Sequence, residues 1–522
     1  MASEPLDFTS AVADGEEVIP IVAPTIVAFI GRTERGPMNE PIAIESFDDY
    51  RRVFGGHSTF SFVSFAVQHF FLHGGESAVV VRAANRATRA IIDMPAGRER
   101  LWLQARQPGS REFLRVSVDY DGVEHAPDKF NLVVQRLSRP GSQLVDDQEL
   151  FEALSMDPTD ERFVVDALHD SELVRLVGPL PAHRPDATRP VQPGQPIPYV
   201  GTSSAGTDGE ELTDYDIIGS NNEGTGLFAL DRCERIDLVC IPSPPGRDLG
   251  ITSFVAATRY CARRRALLLW DPPWSWATAD SAVLWLRASG QVSPHAVTYF
   301  PRVRPRGDLG RYRAGMPACG VVAGMLARCD RSGVWHRMPA PDATLKGSLA
   351  PLVEIGQKQA AALQRMGVNT FVRLQPGVAA LQGNVSFAGA TAVDTLWQRL
   401  EVSRLAAFIV RSIERSTRWV FTAKRTDELV ADLERQVWIF LSRLKQRGAL
   451  TGANAEQAFF VRTSATRVPT SADVASRDVT TTLRVGFAPR TPNEFLTYDF
   501  RYHASTLTTE VVSVRDAERH LG

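Results

Sequence analysis

Short β-branched runs that stop at proline or glycine, each followed by a helical stretch, constrain this chain more than any other feature. Ile26 to Ile30 is such a run, bounded by Pro24 and Gly31, and it suits a strand buried on both faces. Gly31 to Pro41 is turn-rich, with Gly36-Pro37 and Asn39 as breakers. Ser46 can then cap a short helix with Asp48 and Asp49 in its first turn and Gly55-Gly56 at its end. Ser61 to His73 reads as an amphipathic helix ending at Gly74-Gly75, and Ala78 to Arg82 (AVVVR) as a second buried strand. The alternation returns after residue 235. Strands are expected over Ile236 to Ile241, Ala266 to Trp270 and Ala296 to Phe300, with helices over Thr252 to Arg264 and about Asp280 to Ser289 between them. That order builds a parallel sheet with helices on its faces.

The pattern breaks between residues 86 and 200. Leu101 to Ala105, Phe113 to Asp119 and Phe130 to Leu137 alternate like strands, with Asp121-Gly122 as a hairpin turn. Residues 149 to 176 read as two helical pieces around Asp157-Pro158, and 178 to 200, with seven prolines, as a stiff exposed linker. Near the other end, Thr426 can cap a helix running to Gly448. Leu429, Leu433, Val437, Phe440, Leu441 and Leu444 form one apolar stripe, which leaves Arg435, Arg443, Lys445 and Arg447 off it. Leu483 to Phe487 and Glu494 to His503 alternate cleanly, and TTEVVSV is strand-like.

Composition narrows the function. The chain has 522 residues, room for three or four domains, and a net charge of −2, without the basic excess of a nucleic-acid binder. Five cysteines with no CxxC pair argue for reduced, buried thiols over a disulfide framework or a zinc site. No stretch approaches the ~18 apolar residues that span a bilayer, and no basic residue precedes Arg32 as a secretion signal would require. The expectation is a protein folded in a cytoplasm that leaves it as part of a larger particle. Residues 1 to 21 are acidic, with Glu4, Asp7, Asp14, Glu16 and Glu17, and read, alone, as a disordered tail.

Catalytic signals are weak. Gly201-Thr202-Ser203-Ser204-Ala205 has the form of a subtilase serine segment, but no HGTH-like histidine segment precedes it, so a hydrolase acting through Ser203 is a remote alternative. His69 and His73 have the i, i+4 spacing of metal ligands without an acid between them. They read instead as a helix end that favours imidazolium. Arg263-Arg264-Arg265 reads as a solvated helix end, Gly224-Thr225-Gly226 as a turn, and Asp271-Pro272-Pro273 as a structural turn after a strand.

Three long segments carry a resemblance: residues 22 to 56 (VAPTIVAFIGRTERGPMNEPIAIESFDDYRRVFGG), 320 to 340 (GVVAGMLARCDRSGVWHRMPA) and 396 to 462. They resemble the contractile tail sheath proteins of phages and of phage-derived injection systems. The resemblance implies an α/β fold with a subtilisin-like parallel-sheet core lacking a catalytic triad, a β-rich insertion domain, and an α+β C-terminal domain with extended terminal arms. It divides the chain into an arm (1–21), a first core segment (22–85), an insertion with its linker (86–200), a second core segment (201–390), a C-terminal domain (391–503) and an extension (504–522). It implies no enzyme, metal or cofactor. The partners it implies are further copies of the chain, an inner tube, and baseplate and cap proteins, with no nucleic acid and no membrane insertion. A baseplate- or cap-proximal paralogue is the near alternative. Arm strands between subunits are expected at Val18, Ile19, Ile21 and Val22 and at Phe495, Leu496, Tyr498, Phe500 and Tyr502. The tube-facing helix is expected to use Arg435, Arg443, Lys445 and Arg447.

Overall fold

The computed structural model describes residues 19, 25–123, 125–188, 198–306, 312–337, 343–375, 377–388, 398–421, 427–467, 479–503 and 506–512. The chain begins with β1 (Ile26–Gly31), β2 (Pro41–Ile44), α1 (Phe47–Phe54), α2 (Val63–Leu72) and β3 (Ser77–Arg82). Ser46 caps α1 as its residue type requires, accepting from the Asp49 N–H at 3.1 Å, and Gly55 closes it with φ +87°. After a long insertion come α4 (Asp214–Ile218), β11 (Leu238–Cys240), α5 (Ile251–Arg264), β12 (Leu267–Trp270), α6 (Ala279–Ser289), β13 (Ala296–Phe300), α7 (Cys319–Asp330), α8 (Gln357–Arg365), β16 (Val368–Gln375) and β17 (Val378–Gln382). These strands form one eight-stranded sheet in the order β17-β16-β13-β12-β11-β1-β3-β2. All neighbours pair parallel except the two edge strands, β17 and β2.

Alternate residues of each strand feed two separate cores. Val27, Phe29, Val80, Cys240 and Leu269 face α1, α2 and α7. Ala28, Ile30, Val79, Val239 and Leu268 face α4, α5, α6 and α8. Both faces are therefore covered, which is why these strands read as unbroken apolar runs.

The insertion holds β4 (Arg89–Ala96), β5 (Glu99–Pro108), β6 (Leu114–Asp119), β7 (Lys129–Leu137), β8 (Val145–Ser155), α3 (Val164–Ala167), β9 (Val174–Val177) and β10 (Val200–Gly201). They make two antiparallel sheets, β4-β5-β9 and β10-β6-β7-β8, around their own apolar cluster. Two expectations fail here. Residues 149–155, expected to be helical, belong to the strand β8, because pairing with β7 over Lys129↔Ser155 to Leu137↔Val145 supplies a ladder that local propensity cannot anticipate. Only α3 is helical within 149–176. Nor is the proline-rich run a free linker over residues 178–188. The Tyr120 hydroxyl donates to the Pro185 carbonyl at 2.7 Å, Arg184 lies 3.5 Å above the Tyr120 ring, and Pro181 and Pro185 are buried. Prolines offer carbonyls without N–H groups, so side-chain donors of the neighbouring sheet hold the run in place.

Two short strands, β14 (Val303–Pro305) and β15 (Leu349–Pro351), pair with each other. The last body comprises α9 (Leu400–Ser416), α10 (Asp427–Gln446), α11 (Ala455–Ala458), β18 (Phe459–Arg467), β19 (Val479–Phe487), β20 (Leu496–His503) and β21 (Thr506–Val512). The sheet β18-β19-β20-β21 is antiparallel throughout, and the apolar sides of α9 and α10 pack on it. The stripe read on α10 is buried at every position, whereas its Thr426 cap lies outside the described residues.

Candidate assembly surfaces

The C-terminal sheet presents the clearest unfinished surface. Leu496, Tyr498, Phe500 and Tyr502 all point into the domain core, and the Tyr502 hydroxyl donates to Thr417 Oγ1 at 2.8 Å. Phe495 sits just outside the strand, edge-on to Phe460 at 5.1 Å. Their strand and its extension were expected to form an arm between subunits; within the chain, β20 pairs with β19 on one side and β21, the extension, on the other. This pairing has a simple cause. His503 pairs with Thr506, so the chain reverses at once and the alternating run after it closes the ladder locally. The free edge passes to β21, a threonine-rich strand whose outer side pairs with no strand among the described residues. Ile19 is buried in the core of this same body, while Val18, Ile21 and Val22 lie outside the described residues.

On α10, Arg435 and Arg443 are half-buried, and Arg435 lies 3.7 Å from Asp432. Lys445 Nζ donates to the Ala453 carbonyl at 3.2 Å, and Arg447, just past the helix, is exposed. The four cations therefore differ: Lys445 closes the α10–α11 connection, and Arg447 meets solvent most fully.

The residues that mimic catalytic groups are fastenings. Ser203 is exposed, and both its N–H and its hydroxyl donate to the Ile91 carbonyl, at 2.8 and 3.2 Å, which ties residues 201–204 to β4. Asp271 is buried at the end of β12. Its Oδ1 accepts the N–H groups of Ala318 and Cys319, both at 3.0 Å, and so anchors the start of α7; burial pushes its carboxyl up to about 6. Burial pushes the Cys319 thiol up as well, away from nucleophilic thiolate. At the switch point between β1 and β11, where open α/β sheets hold ligands, a 120 Å³ crevice is lined by Arg32, Phe60, Pro242, Pro244, Pro245 and Leu249. Glu211 and Arg247 also line it and pair with each other, and no histidine or cysteine lines it among the described residues. None of them forms a group of three His, Cys, Asp or Glu able to hold a metal, and none belongs to a helix long and apolar enough to cross a membrane.

His69 and His73 correct the sequence reading. His73 is fully buried; its Nδ1 donates to the His69 carbonyl at 2.7 Å and its Nε2 accepts the Lys346 N–H at 2.9 Å, which requires the neutral ring. Burial pushes both imidazoles down to about 4, outweighing the helix-end preference for imidazolium. The unfolded chain takes up protons near 6.5 that folded His73 refuses, so its contribution is present above pH 6.5 and is lost as pH falls towards 4. By pH 5 the loss reaches about 2 kcal/mol. Asp271 shifts stability in the opposite sense, so the check is a difference: urea midpoints at pH 7.5 and 5 should separate more in the native chain than in His73→Gln. Equal separations would refute the assignment.

Comparison with solved structures places this architecture. The chain is similar to the sheath tail protein Lin1278 from Listeria innocua, with a TM-score of 0.63 and 11% identity over 96% of this chain and 99% of that one. A sheath tail protein from Desulfitobacterium hafniense gives 0.54 and 13% over 96% and 99%. The PVC sheath complex of an extracellular contractile injection system, in its contracted state, gives 0.53 and 15% over 95% of each chain. The chain has the contractile-sheath fold. No family model and no curated protein matches its sequence. Within the sheath fold, the three segments that carried the resemblance fall on β1 to α1, on α7 and the turns after it, and on α9 to β18. Two of them build the sheet and its buried helix, and the third builds the C-terminal body.

Proposed function

We propose that this chain is the structural subunit of a contractile sheath, made in a bacterial cytoplasm and built into a phage tail or an injection particle. Copies stack as six-membered rings around an inner tube, over a subtilisin-like core with no catalytic role, and shortening of the polymer drives the tube through a target envelope. The observation that carries this reading is a sheath fold extending over 95–96% of the chain. Such a polymer needs heterologous contacts that stay open for the next ring, and two packings of a rigid subunit that differ in free energy. The free edge of β21 supports the first requirement, since an open antiparallel edge accepts a strand from a neighbour. Baseplate and cap proteins would bind the ends. Negative-stain microscopy of the purified chain with its tube partner should show sheathed tubes, and a chain lacking residues 506–522 should stay folded yet form none. Monomers beside bare tubes in the native sample would overturn the proposal.

The α10 helix is proposed to face the inner tube through Arg435, Arg443, Lys445 and Arg447, supported by its one-sided apolar stripe. Glutamate at all four positions is expected to abolish co-sedimentation of sheath with tube. Undiminished co-sedimentation would remove the helix from that role.

A further inference from the structure

A 210 Å³ cleft opens where the end of α5 meets the last turns of α9, and arginine dominates it. The run Arg263-Arg264-Arg265 supplies one wall, and Arg411 and Arg415 supply the other. Arg235 and Arg418 complete the rim. Asp231 lies 3.0 Å from Arg263 and 3.7 Å from Arg264, Glu414 lies 3.3 Å from Arg265, and Glu234 lies 3.0 Å from Arg415. Asp237 holds both Arg235 and Arg411. Among these described groups, four carboxylates serve seven guanidiniums, so the cleft keeps a positive surplus. A concave wall of low dielectric concentrates that field. Arg263 and Arg415 are more than half exposed, and each guanidinium has five donors, so existing pairs leave donors available to a second acceptor. Donors spread over two helices and their flanks fit an extended acidic peptide better than a single small anion.

The chain carries such a peptide. Residues 1–17 hold five carboxylates, at Glu4, Asp7, Asp14, Glu16 and Glu17, and neither lysine nor arginine. The segment also starts from the right place. Ile19 is buried in the same apolar cluster as Phe408, and Phe408 lines the cleft. A neighbouring 340 Å³ cavity shares Arg265, Phe408 and Arg411 with the cleft and extends to Thr25 and Val511. Ile19, two positions after the last of these carboxylates, is therefore anchored beside an arginine-lined groove of opposite charge.

We propose that the acidic segment 4–17 docks into this arginine cleft within its own molecule, as an electrostatic latch between the parallel core and the C-terminal body. The docking rests on charge and needs no strand pairing, so it does not depend on the sheath reading. It should be strong at low ionic strength and largely screened in 1 M salt, where the Debye length is about 3 Å.

The test uses the full chain with Cys233 and Cys329 changed to serine and nitroxide labels placed by Ser10→Cys and Ser412→Cys. Electron–electron distance measurement should give one short, narrow distribution at low salt. Its width should grow about twofold or more in 1 M NaCl. The same broadening is expected in a chain carrying Arg263→Glu, Arg415→Glu and Arg418→Glu. Neutralising the tail (Glu4→Gln, Asp7→Asn, Asp14→Asn, Glu16→Gln, Glu17→Gln) should match it, and that variant leaves the folded body untouched. A distribution that is broad in the native chain, or that stays narrow in the tail-neutralised chain, would overturn the latch. So would dipolar coupling that appears only between separately labelled copies.

Discussion

Gly320→Ala is expected to destabilise the chain by about 3 kcal/mol or more, although the same change in an ordinary helix interior stabilises. Gly320 and Gly324 lie four apart on α7, hence on one face, and that face meets the backbone of α2. A Cβ on Gly320 would stand 2.1 Å from the Ala66 carbonyl oxygen and 2.5 Å from its Cα, and one on Gly324 would stand 2.3 Å from the Phe70 carbonyl oxygen. These obstacles are main chain, so no rotamer relieves them. The helices must separate, and the cluster they share with the sheet (Phe29, Val67, Phe70, Val322) must open with them. A total stability of order 5–15 kcal/mol leaves little room for that loss. Urea denaturation of Gly320→Ala and Gly324→Ala measures it directly; a midpoint at or above the native one would mean that the helices do not approach so closely.

Arg404→Met is expected to cost about 3–5 kcal/mol. Arg404 reaches from α9 to Asp330 at the end of α7, and the Thr25 hydroxyl donates to the same carboxylate oxygen. The two charged side chains are only 9% and 3% exposed. A carboxylate at a helix C-terminus already opposes the helix dipole, so Asp330 depends on this partner more than a surface acid would. Removing Arg404 strands the charge in a dry junction between the parallel core and the C-terminal body. Arg404→Met combined with Asp330→Leu should recover most of the loss, because replacing both members with apolar groups leaves no unpaired charge. The cycle of four unfolding curves reads the coupling. Additive losses would show that the two residues act independently.

The β1-to-α1 opening was legible because each of its signals is local: a β-branched run, a capping serine, two aspartates in a first turn and a glycine at the end. The α10 stripe was legible for the same reason, and all six of its apolar residues are buried. The candidate sites were less so. Arg263, Arg264 and Arg265 looked like a solvated helix end, since nothing near them in sequence announces α9 more than a hundred residues later. Residues 149–155 looked helical because their partner strand is invisible to a short window. The resemblance pointed to the strand of Leu496 to Tyr502 as an arm, but could not reveal that β21 occupies its open edge.

What the sequence by itself determined is the alternation of strand and helix, the ends of those elements and the sheath-like order of its segments. The first two follow from side-chain periodicity and from caps that act within a turn or two, and the third from the resemblance of three long segments. Only the tertiary structure decided which edge stays open, that His73 is neutral, and that seven arginines share one cleft. Those depend on burial and on neighbours brought together from far along the chain, and a residue's charge and pairing are settled by what surrounds it in space.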